Sequence, residues 1–115
     1  PPQDAPELLY SEKKLLSRLV AQVKALSPSE KALFTWLVEH DGQQISSRQL
    51  ADAVGMDRRV TWADRTKRLV RLPFIQQWGT HQFWYRARFG EYCRRYFASM
   101  TDHQLVIQAL LQTAR

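Results

Sequence analysis

The sequence predicts a mainly α-helical domain carrying one small β-hairpin, and three features of the chain point to it. Apolar residues recur at helical spacing through most of the length. That period gives way to strict alternation only between residues 74 and 89. Capping signals, above all Ser27-Pro28-Ser29-Glu30, mark helix starts. With 115 residues, the chain fits one domain of the usual ~100–200 and can bury a single core without disulfide or metal staples.

Pro1 to Pro6 reads as a disordered or extended leader, and the opening Pro1-Pro2 suggests a processed product or a domain cut from a longer protein. From Glu7 to Leu26, the residues Leu8, Leu9, Leu15, Leu16, Leu19, Val20, Val23 and Leu26 line one helical stripe. Leu9, Leu16 and Val23 are spaced by sevens, with Leu19 and Leu26 in the second seam position and Glu12 occupying its first. The stripe suits either an amphipathic helix packed on its own domain or a short dimer seam. Ser27 caps the next helix, with Pro28 at its first position and Glu30 closing a capping box. This helix buries Ala32, Leu33, Trp36 and Leu37 and stops near Asp41-Gly42. Ile45 sits in a short extended piece. Ser46 or Ser47 caps a helix over Arg48 to Val54, which Gly55 ends. Asp57 caps a third helix, running to about Leu72 and stopped by Pro73.

Phe74 to Trp78 reads as a strand, Gly79-Thr80-His81 as a turn and Gln82 to Phe89 as the returning strand. On the return, Phe83, Tyr85, Ala87 and Phe89 share one face, and Gln82, Trp84, Arg86 and Arg88 the other. Glu91 to Met100 is helical again, burying Tyr92, Cys93, Tyr96 and Phe97. Thr101-Asp102-His103-Gln104 either recaps a last helix bearing Leu105, Val106, Ala109 and Leu110 or lies inside one continuous helix. The expected organisation is residues 1–26 as leader and first helix, 27–89 as the central domain and 90–115 as a C-terminal helical extension, all in one compact body.

Charge is unevenly placed. The formal net charge is +6, and residues 41–100 hold eleven Lys/Arg against five Asp/Glu. The flanking stretches are neutral, so the whole excess lies in the middle, the footprint expected of a polyanion binder. Other chemistries find little support. His40, His81 and His103 stand apart with no second ligand at metal-binding spacing, and the scattered Gly42, Gly55, Gly79 and Gly90 form no phosphate loop. Cys93 lies among aromatics as an inert buried thiol, with no partner for a disulfide. No catalytic set, metal site or cofactor is expected. No run approaches a membrane span, and a single cysteine fits a cytoplasmic or nuclear setting.

Leu50-Ala51, followed by Gly55-Met56-Asp57, is similar to a helix-turn-helix in which alanine packs the first helix on the second and glycine makes the turn. Together with the hairpin, residues Ser27 to Phe89 resemble a winged-helix DNA-binding domain. The apolar position six after the glycine falls on Thr61, with Val60 before it. On a helical wheel, Val60, Trp62, Ala63, Thr66, Leu69 and Val70 form the apolar arc, while Arg58, Thr61, Asp64, Arg65, Arg68 and Arg71 face out. Arg59 and Lys67 fall within the apolar arc and must snorkel or act.

The resemblance implies that the third helix enters a major groove, with Arg58, Thr61 and Arg65 at base edges and Arg68 and Arg71 on phosphates. It also implies a wing in which His81, Arg86 and Arg88 meet phosphate or minor groove. Trp84 fits either a wing contact or packing under the C-terminal helix, and Arg94 and Arg95 extend the patch. The expected partner is duplex DNA, with a homodimer possible through the first or last helix. The protein would be a transcription regulator or a module of a larger replication, conjugation or recombination protein. The alternatives are a protein–protein module, or an RNA or single-strand binder stacking bases on Trp78, Trp84 and Tyr85.

Overall fold

The computed structural model describes residues 8–100 and 102–115, and the leader and Thr101 lie outside them. Among the described residues there are five α-helices and one three-stranded antiparallel sheet. None of these helices is long and apolar enough to cross a membrane.

The first helix, α1 (Tyr10–Lys24), turns Leu19 and Val23 into the core, followed by Leu26, and packs on the last helix, α5 (Gln104–Ala114). The inner part of its stripe is therefore covered within the chain, while Leu9 remains exposed. Glu12, the charged residue in that stripe, is buried for a local reason. Its carboxylate accepts from the Leu9 N–H at 2.8 Å, from the Ser99 N–H at 3.2 Å and from the Ser99 hydroxyl. The Ser99 hydroxyl first, and then the Leu9 amide, hold this carboxyl below its ordinary range.

The capping box at α2 (Pro28–Glu39) forms as expected, with Ser27 Oγ accepting from the Glu30 N–H at 3.2 Å and Glu30 Oε1 from the Ser27 N–H at 3.1 Å. Leu33, Phe34, Leu37 and Val38 enter the core. Trp36 stays half-buried on the flank, stacked on His40 at 3.9 Å between ring centroids. Ser46 and Gln49 make a second capping box for α3 (Ser47–Ala53), and Gly55 at φ +71° carries the chain away from it.

The short extended piece becomes β1 (Ile45–Ser46), the third strand of the sheet. It pairs with β3 (Trp84–Ala87), which lies between it and β2 (Ile75–Trp78). Ile45 stands opposite Tyr85, and Gln77 faces Tyr85 from the other side. Gly79 opens the β2–β3 turn at φ +112°, where a Cβ would run into the Gln82 carbonyl oxygen. As the alternation requires, Tyr85, Ala87 and Phe89 are buried. Phe74 is the hub, with ring centroids 4.8 Å from Phe89, 5.4 Å from Tyr92 and 6.3 Å from Phe34.

Two helical expectations are corrected. The helix expected over Glu91–Met100 is α4 (Phe89–Tyr96); it ends as Phe97 leaves helical geometry, and Tyr96 is exposed rather than buried. α5 then starts afresh, with Asp102 Oδ1 accepting from the Gln104 N–H at 2.9 Å. The larger correction concerns Asp57–Leu72. No continuous third helix forms there; the chain makes three short 3-10 turns at Arg58–Thr61, Ala63–Arg65 and Leu69–Arg71.

The cap of α4 is supplied across the fold. Asp41, just past α2, accepts from the Phe89 N–H at 2.6 Å and the Gly90 N–H at 2.9 Å, while the Gly42 N–H donates to the Ala87 carbonyl at 2.8 Å. Burial first, and then the nearby Asp41 carboxylate, push the Cys93 thiol up to about 12, which makes it inert at neutral pH. Replacing Asp41 with alanine is expected to destabilise the fold by about 1–2 kcal/mol, because two helix-start donors lose a charged acceptor. Urea unfolding with an unchanged m value checks this. A midpoint equal to that of the wild type would show that the cap contributes nothing.

Candidate nucleic-acid interface

The segment between α3 and β2 holds most of the expected site, and its sequence opposes a continuous helix. Val60, Thr61 and Thr66 are β-branched, and Asp57 and Asp64 favour caps. Arg65, Arg68 and Arg71 place like charges at i,i+3 spacing. At Trp62 the backbone becomes extended (φ −66°, ψ 152°), and the helical ladder breaks. The break exchanges inside and outside over residues 61–63, while Thr66 and Leu69 stay buried and Arg65, Arg68 and Arg71 exposed as the wheel expects. Thr61, expected at base edges, is buried, and its hydroxyl donates to the Arg58 carbonyl at 2.7 Å. Trp62 and Ala63, expected in the apolar arc, are exposed.

Tyr85 takes up the carbonyl that the break releases. Its hydroxyl donates to the Thr61 carbonyl oxygen at 2.8 Å, and the Thr66 hydroxyl donates to the neighbouring Trp62 carbonyl at 3.2 Å. The Gln77 amide nitrogen donates to both hydroxyl oxygens, at 2.6 Å to Tyr85 and 3.2 Å to Thr66. Every donor thus has an acceptor, and the two hydroxyl oxygens lie side by side at 3.1 Å. Burial raises the Tyr85 phenol above its ordinary range, so it remains a donor at physiological pH. Tyr85 is fully buried, which removes it from any base-stacking role.

Glu30 makes the second attachment. The oxygen not used in the α2 cap accepts from the Leu69 N–H at 2.8 Å, which ties the third 3-10 turn to the start of α2. Between these two elements lies a cleft of about 490 Å³, bordered by Ser27, Ser29, Asp64, Arg65, Lys67, Arg68 and Arg71. The four cations are exposed, and none is in an ion pair among the described residues. Lys67, placed by the wheel in the apolar arc, belongs to this group. It was a cation that the wheel required either to snorkel or to act, and it stands exposed.

The remaining expected residues lie elsewhere. Arg58 is 3.6 Å from Asp52 and borders a second cleft of about 350 Å³ with Arg48, Trp62, His81, Gln82 and Phe83. Arg59 is held by Asp57 at 2.8 Å. On the hairpin, Arg86 and Arg88 both donate to Gln76 Oε1, at 3.2 and 3.1 Å. Arg86 also lies over the Trp78 ring at 5.5 Å, and Arg88 pairs with Glu91 at 3.0 Å. Trp84 is half-buried, opposite Ser46 on one side and Trp78 on the other. The expected residues therefore lie apart, and only the first group gathers cations that are in no ion pair among the described residues around one cleft, whose border also carries Glu30 and Asp64. No group of three or more His, Cys, Asp or Glu that could hold a metal ion occurs among the described residues.

Removing the Tyr85 hydroxyl with phenylalanine strands the Thr61 carbonyl and one Gln77 donor bond in a buried setting. The expected loss is about 1–3 kcal/mol in chemical denaturation, and unchanged stability would show that the network is idle. Asp57 gives a pH signature. The Arg59 side chain first, and then its amide, hold this carboxyl at about 2, below its ordinary 3.8. The proton therefore binds the unfolded chain more readily, and the pair's support is complete above pH 3.8 and fades as pH falls toward 2. An NMR titration of Asp57 should give the low value in the native chain and a higher one in Arg59→Ala, still below 3.8 because the residue-59 amide goes on donating to the carboxylate. Equal values in both proteins would dismiss the pair.

Compared with known proteins, the chain matches no family model, no curated protein and no solved structure, so a functional reading rests on its own residues.

Proposed function

We propose that this domain binds duplex DNA, with the Arg65–Arg71 segment lying along the phosphate backbone. The observation that carries this reading is the gathering of Arg65, Lys67, Arg68 and Arg71 around one cleft with no ion-pair partner among the described residues. Cations left unpaired at a surface retain their full attraction for phosphate, and their binding is driven by counterion release. The element order supports a winged-helix arrangement: α2, β1, α3, an ordered basic segment, and a hairpin whose returning strand pairs with β1. Arg86 and Arg88, braced on Gln76, suit a wing that meets the backbone.

The broken third element changes the mode of binding. A continuous helix can place its first residues deep in a major groove, whereas three pinned 3-10 turns present a low ridge. Thr61 is buried, with its hydroxyl on the Arg58 carbonyl, and cannot reach a thymine edge. Phosphate positioning, with little direct base readout, is the consequence.

A titration of duplex DNA at several salt concentrations tests this. The expected log–log slope is several units, falling by about one in each of Arg68→Ala and Arg71→Ala. Arg65→Ala should weaken unrelated duplexes equally. Absence of duplex binding at low salt would remove the proposal, as would a slope indifferent to Arg68 and Arg71.

A further inference from the structure

The second cleft has a composition that phosphate binding alone does not require. Its rim carries Trp62, 53% exposed, where the helical wheel had placed a core residue. Exposing an indole forgoes the stabilisation its burial would give. Here the exposure is built in: the extended backbone at Trp62 is fixed from both sides, by Tyr85 on the Thr61 carbonyl and by Thr66 on the carbonyl of Trp62 itself. The indole is thus presented by an ordered backbone.

Around it stand the groups that an extruded nucleotide would need. Phe83 is half-buried at the cleft, and Gln82 beside it offers both an amide donor and an acceptor. Arg48, Arg58 and His81 are exposed on the same rim, and Arg48 has no ion-pair partner among the described residues. At about 350 Å³ the cleft falls in the range of small-molecule sites of ~300–1,000 Å³. A base within a duplex has both faces stacked and cannot lie on an indole, whereas an unpaired base can. The basic 3-10 segment borders both clefts, with Arg65 to Arg71 at the first and Arg58 and Trp62 at the second.

We infer that this second cleft holds an unpaired nucleobase stacked on Trp62, so that the preferred ligand is a duplex ending in a single-stranded extension. The inference rests on the duplex-binding reading and names its substrate class. Duplex phosphates occupy the Arg65–Arg71 cleft, and the first unpaired nucleotide crosses the segment to Trp62, with Arg48 and Arg58 on its phosphates.

Fluorescence anisotropy should compare one blunt duplex, the same duplex with a 3′ or 5′ extension of a few nucleotides, and the extension alone. The expected result is roughly tenfold tighter binding of one extended duplex over the blunt one, the size of a single base–aromatic stack. Trp62→Ala should remove that gain while leaving blunt-duplex affinity unchanged, and Trp62→Phe should keep most of it. 2-Aminopurine at the first unpaired position should be quenched by the native protein and by Trp62→Phe, but not by Trp62→Ala. Equal affinity for blunt and extended duplexes overturns the inference and leaves duplex binding standing. A gain that persists in Trp62→Ala, with quenching unchanged, also overturns it. Failure of every DNA to bind at low salt overturns both readings.

Discussion

The buried hydroxyl of Tyr85 fixes the shape of the basic segment. A polypeptide that leaves helical geometry at Trp62 frees a carbonyl, and a buried carbonyl without a donor is costly. Tyr85 reaches it from the middle strand of the sheet, and Gln77 on the neighbouring strand orients the phenol and Thr66 together. Without that fork the segment would have to recover its hydrogen bonds as a helix, which its β-branched residues and like-charge spacings oppose. The sheet thus holds in place a ridge that could not hold itself, and the positions of Arg65, Lys67 and Arg68 follow.

Three acidic residues act by the same principle at longer range. Glu12, Glu30 and Asp41 each accept from backbone N–H groups remote in sequence, 87, 39 and 48 to 49 residues away. Each satisfies donors that a short or irregular element leaves free. Turned to backbone amides, these three carboxylates form no ion pair with an arginine or lysine among the described residues. The arginines that do find carboxylates, Arg58, Arg59 and Arg88, pair with Asp52, Asp57 and Glu91, none of which borders the main cleft.

A ridge of cations with committed backbone and hydroxyl groups is suited to a uniform polyanion. The same break that removes a groove-reading helix turns an indole outward beside two further arginines. The burial of Thr61 and the exposure of Trp62 are two results of one backbone torsion.

The sequence by itself determined the helical class, the capping boxes at Ser27 and Ser46, the hairpin with its inward Tyr85, Ala87 and Phe89, and the concentration of positive charge between residues 41 and 100. These are local matters: a cap spans four residues, and strand alternation is visible in eight. Tertiary structure decided what local signals could not. The pairing of β1 with β3 was illegible, because two residues show no period. The helix expected over Asp57–Leu72 matched a 3.6-residue pattern, yet gave way to hydrogen bonds offered by Tyr85, Gln77 and Glu30 from distant parts of the chain. The exchange of Thr61 and Trp62 between inside and outside followed, and with it the division of the basic residues between two clefts. Periodicity reports which faces are apolar; only the fold reports whether a backbone group has found a better partner elsewhere.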